Sequence, residues 1–248
     1  MSTPSVEPVE TPRGTVLLIH GMSSSRRTWW RVAPDLSALG WDVVTVDLPG
    51  HGGRPIGSTR RLADLAADVA ERHPSGATLV VGHSLGAIVA LSLATRHPSY
   101  ARGVLLEDPP SGGRSVGEPA DHLTREVERA RTDPDGAIAS ILSGHPTWRR
   151  RDARSILEGR LLTDPRLAEL SPGALSWDLP ALVSTCPVPV ALAAARGAYS
   201  ALGEPDRGEL LRLLRSERVT ELPSSHHLHL DEPARWVEAV DTFGGSLT

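Results

Sequence analysis

The hydrophobic pattern opens with a short apolar run, Val16-Leu17-Leu18-Ile19, then a polar loop, an amphipathic stretch over 28–39 and a second run, Val43-Val44-Thr45-Val46. Short continuous apolar runs read as strands covered on both faces, and apolar positions every three or four residues mark a helix with one buried side. The alternation continues with a helix over 61–72, a strand over 78–81, a helix over 85–96 and a strand over 104–106. Strands taking turns with helices predict an α/β fold, with a mostly parallel sheet carrying helices on both faces.

After Pro109 the rhythm breaks. Helix-like stretches over 123–131, 137–142 and 150–161 are separated by proline and glycine, with no convincing strand among them. The strand pattern returns at 188–194, followed by a helix over 209–215, a strand over 219–222 and a closing helix over 233–243. The pattern predicts a core of residues 1–109 and 185–248, with a helical cap, 110–184, inserted after the strand at 104–106 that follows the helix over 85–96.

Composition narrows the chemistry. A chain of 248 residues can bury a core without disulfides or metal, so no cofactor is expected on grounds of stability. The formal net charge of −4 leaves no excess of positive charge for phosphates or anionic lipid, so neither nucleic acid nor a membrane is an expected partner. No apolar stretch is long enough to span a bilayer, and the first residues lack a basic start and an apolar signal core, so the cytoplasm is the expected location. All 26 basic residues are arginine, which points to GC-rich coding and a bacterial source. It also excludes lysine as a base or Schiff-base former, leaving serine, histidine and carboxylates for proton transfer. The lone Cys186, beside an apolar run, reads as a structural thiol.

One segment carries the chemistry. Val80-Val81-Gly82-His83-Ser84-Leu85-Gly86-Ala87 sets a serine between glycines two residues to either side, with an apolar strand before it and an apolar-faced helix after it. A tight strand-to-helix turn lifts the Ser84 hydroxyl clear of the sheet, and the helix start supplies backbone N–H groups that favour an anion. By itself Gly-x-Ser-x-Gly can be a mere turn; the strand and helix around it make Ser84 a candidate nucleophile.

These segments resemble the α/β-hydrolase family over nearly the whole chain outside the insertion. Ile19-His20-Gly21-Met22 resembles the family's oxyanion loop, which implies Met22 N–H and Leu85 N–H as the oxyanion donors. Asp47-Leu48-Pro49-Gly50-His51-Gly52 resembles a structural turn of the family. Ser225-His226-His227-Leu228-His229-Leu230-Asp231-Glu232-Pro233 resembles its terminal histidine segment, which makes His226 the base and His229 a packing or hydrogen-bonding residue. Three clustered histidines could also suggest zinc, but no carboxylate or thiolate completes a ligand set at this spacing, and no metal is expected.

The acid departs from the family pattern. Its common place follows the strand at 188–194, where Arg196-Gly197-Ala198-Tyr199-Ser200 offers no carboxylate. The family's alternative place, after the strand that follows the nucleophile helix, holds Glu107 and Asp108. Glu107 is favoured because its longer side chain reaches further, with Asp108 left to fix a turn; Glu204 and Asp206 are outside possibilities. The expected triad is Ser84, His226 and Glu107, acting without a cofactor on a small carboxylic ester or lactone through an acyl-enzyme. Thioester cleavage, acyl transfer, carbon–carbon hydrolysis and perhydrolysis would use the same site, and a non-catalytic binding role is the alternative of another class. Trp29, Trp148 and Trp177, with Leu123, Ile138 and Leu157 of the insertion, are candidates to line a substrate pocket. His20 and His83 are expected to orient loops near the serine, and His73, His97, His122 and His145 to lie at the surface.

Overall fold

In a computed structural model, described over residues 12–112, 120–169, 176–196 and 199–248 with the side chains of 120–124, 126, 168 and 169 excepted, six parallel strands form one sheet. The strands are β1 (Gly14–Ile19), β2 (Trp41–Val46), β3 (Ala77–His83), β4 (Ala101–Glu107), β5 (Val190–Ala195) and β6 (Val219–Leu222), in the order β2-β1-β3-β4-β5-β6. Each apolar run read from the sequence is a strand. The helices are α1 (Ala33–Ala38), α2 (Leu62–Arg72), α3 (Leu85–Arg96), α4 (Ala120–Thr132), α5 (Pro134–Gly144), α6 (Arg150–Leu161), α7 (Leu179–Ser184), α8 (Asp206–Leu213), α9 (Leu228–Asp231) and α10 (Pro233–Gly245). Among the described residues no helix is long and apolar enough to cross a membrane.

Period-two alternation sorts the strand side chains between two cores. Leu17 and Ile19 of β1, Val80 of β3, Val104 and Leu106 of β4 and Leu192 of β5 pack one face, with α2, α3 and α8 contributing Leu65, Ile88 and Leu210. Val16, Leu18, Leu79, Val81, Leu105 and Ala193 pack the other, against Trp29, Leu36 of α1, Leu228 of α9 and Trp236 of α10. Cys186 is half-buried against the first core, and burial pushes its thiol upward, away from the reactive thiolate.

Two details differ from the sequence pattern. The stretch 28–39 is not one helix: a 3₁₀ turn over Arg26–Arg31 gives way to α1. Pro34, which has no N–H to donate, stands in the first turn of α1, where that donor has no intrahelical partner anyway. The second is α7, within the segment assigned to the cap, which packs Leu179 and Val183 into the first core beside α3 and α8. The excursion's own small core is confined to α4–α6, where Ala130, Ile138, Ala153 and Leu157 meet. His122 and Leu123 have side chains outside the described set.

Candidate active site

The turn from β3 to α3 is built by close approach. A Cβ on Gly82 would lie 2.1 Å from the Gly86 carbonyl oxygen, and one on Gly86 would lie 2.2 Å from the Ile19 carbonyl oxygen, so neither position can carry a side chain. Between them Ser84 takes φ 53° and ψ −120°, a conformation that L residues rarely adopt and that persists only where the surroundings enforce it. Its N–H is held by the Glu107 carbonyl at 2.9 Å, and the twelve-residue α3 begins at the next residue. The positive end of that helix faces the serine. Ser84 Oγ makes no hydrogen bond with another described residue.

The loop after β1 runs against this turn. A Cβ on Gly21 would come within 3.0 Å of Ser84 Cβ and 2.9 Å of His83 Nδ1. His20, wholly buried, donates Nδ1–H to the Gly21 carbonyl at 2.8 Å and accepts the Leu48 N–H at Nε2 at 3.2 Å, so its tautomer is fixed by its partners. Burial holds its pKa down at about 4, which keeps the imidazole neutral. A trans peptide points its C=O and N–H in opposite directions, so pinning Gly21 O also aims Met22 N–H. Neither Met22 N–H nor Leu85 N–H donates to a described residue.

His226 stands in the loop between β6 and α9. Its ring lies 4.6 Å from that of His83, whose Nε2–H donates to the His226 carbonyl at 2.9 Å; the residue beside the serine thus holds the backbone of the histidine. Burial, reinforced by the neighbouring histidines, pushes His83 well below the usual range, so it is a neutral donor.

The expectation that Glu107 reaches His226 is overturned: His226 Nδ1–H donates to Asp108 Oδ2 at 2.6 Å, and Glu107 bonds His229 instead. Backbone parity explains the exchange. Glu107 is the last residue of β4 and shares a face with Leu105, so its side chain enters the second core. There Oε1 accepts both the backbone N–H of His229 at 3.0 Å and its Nδ1–H at 2.7 Å, while His229 Nε2 is bonded to the Thr28 hydroxyl at 2.7 Å. Asp108, at φ 40°, leaves the strand and turns its carboxylate to the sheet edge. That carboxylate accepts the N–H groups of Ala195 (3.1 Å) and Ala201 (2.8 Å), the Ser200 hydroxyl (2.6 Å) and His226. The stretch from Arg196 to Ala201 after β5, which holds no acid, therefore supplies donors to one. Arg207 braces it, bonding Ser200 Oγ, the Ala195 carbonyl and Glu221; Gly197 and Ala198 lie outside the described residues.

Glu204 and Asp206 are elsewhere, accepting from the N–H groups of Gly208 and Gly112. Trp29 is a core residue rather than a pocket wall, fully buried with ring contacts of 4.5 Å to His229 and 5.5 Å to Trp236. Trp177 is half-buried and donates Nε1–H to the Pro110 carbonyl at 3.0 Å, two residues beyond Asp108. Trp148 is buried and meets His227 edge-on at 5.5 Å. His145 is not a free surface residue either: it stacks on Trp148 with centroids 3.8 Å apart.

The model of the alpha/beta hydrolase family matches residues 16–240, and the chain belongs to that family: it is an α/β-fold hydrolase. Among curated relatives, a pimeloyl-[acyl-carrier protein] methyl ester esterase of Neisseria meningitidis is 33% identical over 230 residues, covering 86% of this chain and 70% of the relative. Lipase LipV of Mycobacterium tuberculosis is 32% identical over 175 residues, covering 68% and 64%. A solved structure of an esterase from Exiguobacterium antarcticum superposes with a TM-score of 0.73 over 95% of this chain and 93% of the other at 16% identity, a likeness of fold.

Proposed function

We propose that this chain hydrolyses a small carboxylic ester through Ser84, His226 and Asp108, with α4–α6 as a helical cap. The observation that carries the reading is the 2.6 Å bond from His226 Nδ1 to an Asp108 carboxylate that is itself fully buried. An imidazole held at Nδ1 presents Nε2 as the base. Ser84 Oγ attacks the ester carbonyl as His226 Nε2 takes its proton, and Asp108 stabilises the imidazolium that forms. The oxyanion is received by the N–H groups of Met22, in the loop after β1, and Leu85, the first residue of α3. Collapse of the tetrahedral intermediate expels the alcohol, which leaves with the proton from His226. Water, deprotonated by the same histidine, then attacks the acyl-enzyme and frees Ser84.

The substrate class rests on the relatives, named as esterases and a lipase. A methyl ester on a carrier-borne acyl chain is the finer reading, supported by the 33% identity to an enzyme named for that substrate. Hydrolysis of p-nitrophenyl butyrate, with Ser84→Ala as control, tests the class; equal rates for both proteins contradict it. Comparing a free dicarboxylic methyl ester with the same group on acyl-carrier protein tests the finer reading, which expects faster turnover of the carrier-borne ester.

A further inference from the structure

The loop that carries His226 is held from the helical excursion as well as from the sheet. Asp231, at the end of α9, accepts the Ser225 N–H and the Ser225 hydroxyl at Oδ2, both at 2.6 Å, and so clamps the residue immediately before His226. Its other oxygen, Oδ1, accepts Nε1–H of Trp148 at 2.6 Å. Trp148 belongs to the short connection between α5 and α6, so this bond joins elements 83 residues apart in the chain. The indole is buried against Ile156 and Leu230, is stacked by His145 and meets His227, the residue immediately after His226, edge-on. A second tie runs alongside: Arg31 donates both to Asp152 of α6 and to the Leu230 carbonyl. Both neighbours of His226 are thus linked to Trp148, one through Asp231 and one through its ring.

We propose that Trp148 is a positioning residue for His226, acting through Asp231 and Ser225, so that the helical excursion helps to set the base as well as covering the serine. The proposal rests on the reading of His226 as the base. A bond between a buried indole N–H and a carboxylate is of the charge-assisted kind, stronger than a neutral pair. The bond from Trp148 to Oδ1 restrains the carboxylate in the orientation in which Oδ2 holds Ser225. If Trp148 were merely a pocket wall, its Nε1–H would matter little and its bulk a great deal.

Trp148→Phe separates these roles, since it keeps an aromatic ring against His145 and His227 and removes only the donor. With p-nitrophenyl acetate, whose acyl group is too short to test a pocket wall, kcat should fall about tenfold, the order expected for one hydrogen bond to a charged group, with KM within about twofold. The downfield proton resonance of His226 Nδ1, which reports the bond to Asp108, should broaden or move upfield in the same variant. Asp231→Asn cuts the relay from the other side, because its single carbonyl oxygen cannot accept from both Ser225 and Trp148, and should reproduce both changes if Trp148→Phe does not fold. A wild-type kcat with the resonance in place overturns the proposal. So does a loss confined to KM that grows with acyl chain length. The resonance is read without turnover: a wild-type protein that fails to hydrolyse esters contradicts the proposed function, whereas an unmoved resonance contradicts the positioning role.

Discussion

Two carboxylates stand side by side at the end of β4, each fully buried and each bonded to a histidine of the same short segment, yet they do different things. The Glu107–His229 pair is sealed: both side chains are 0% exposed, and Thr28 closes the far side of the imidazole. The Asp108–His226 pair is open, with the His226 side chain 26% exposed. A buried imidazole with both nitrogens occupied can tie elements together but cannot exchange a proton with a substrate. One with Nδ1 held and its ring reaching the surface can. Residue type and bond length are nearly identical in the two pairs; one step along the backbone, from strand to a φ of 40°, separates a sealed pair from an open one.

Breaking the open pair should have the largest effect. Asp108→Asn keeps the shape of the side chain but cannot fix the imidazole tautomer, and kcat on a p-nitrophenyl ester should fall by roughly 10⁴-fold, with the folded state retained. Acid should come next. His20 and His51 have folded pKa values lowered by burial to about 4 and about 3, and His83 is also pushed down. Their contribution is intact above the unfolded value of about 6.5; as pH falls below it the unfolded chain gains protons that the folded chain refuses. Stability should drop from pH 6.5 towards 4, by about 2 kcal/mol for each of His20 and His51 at pH 5, read as a falling Tm; a Tm flat between pH 7 and 5 would count against the buried neutral imidazoles. Glu107→Gln should cost about 1–3 kcal/mol of stability while leaving kcat of the folded protein within about tenfold. The smallest effect belongs to Thr28→Val, about 1 kcal/mol in a chemical melt with kcat unchanged, since it removes one bond at the far end of the sealed pair.

The contrast also shows what the sequence made legible. Continuous apolar runs located all six strands because a parallel sheet covered on both faces needs them, and glycines around Ser84 announced a turn that only glycine can build. Choosing between Glu107 and Asp108 by side-chain length failed because reach is not the deciding variable. Strand parity is: Leu105 faces the second core, so Glu107 must as well, and that signal stood in the alternation of β4. What could not be read was the φ of Asp108 or the donors from Ser200 and Ala201, which belong to a loop brought alongside by β4–β5 pairing. The bond of Trp148 to Asp231 was illegible for a related reason, since it joins segments 83 residues apart. The buried role of Trp29 was equally invisible, because an aromatic in the segment after β1 carries no local sign of which way it faces.

The most direct test of the central claim is to treat the protein with a fluorophosphonate and map the modified peptide by mass spectrometry. The expected result is a single adduct on Ser84, formed rapidly by the wild type and by Glu107→Gln, slowed by orders of magnitude in Asp108→Asn and absent in Ser84→Ala. Labelling that is equally fast in Asp108→Asn, or that is lost in Glu107→Gln while that variant remains folded, would contradict it.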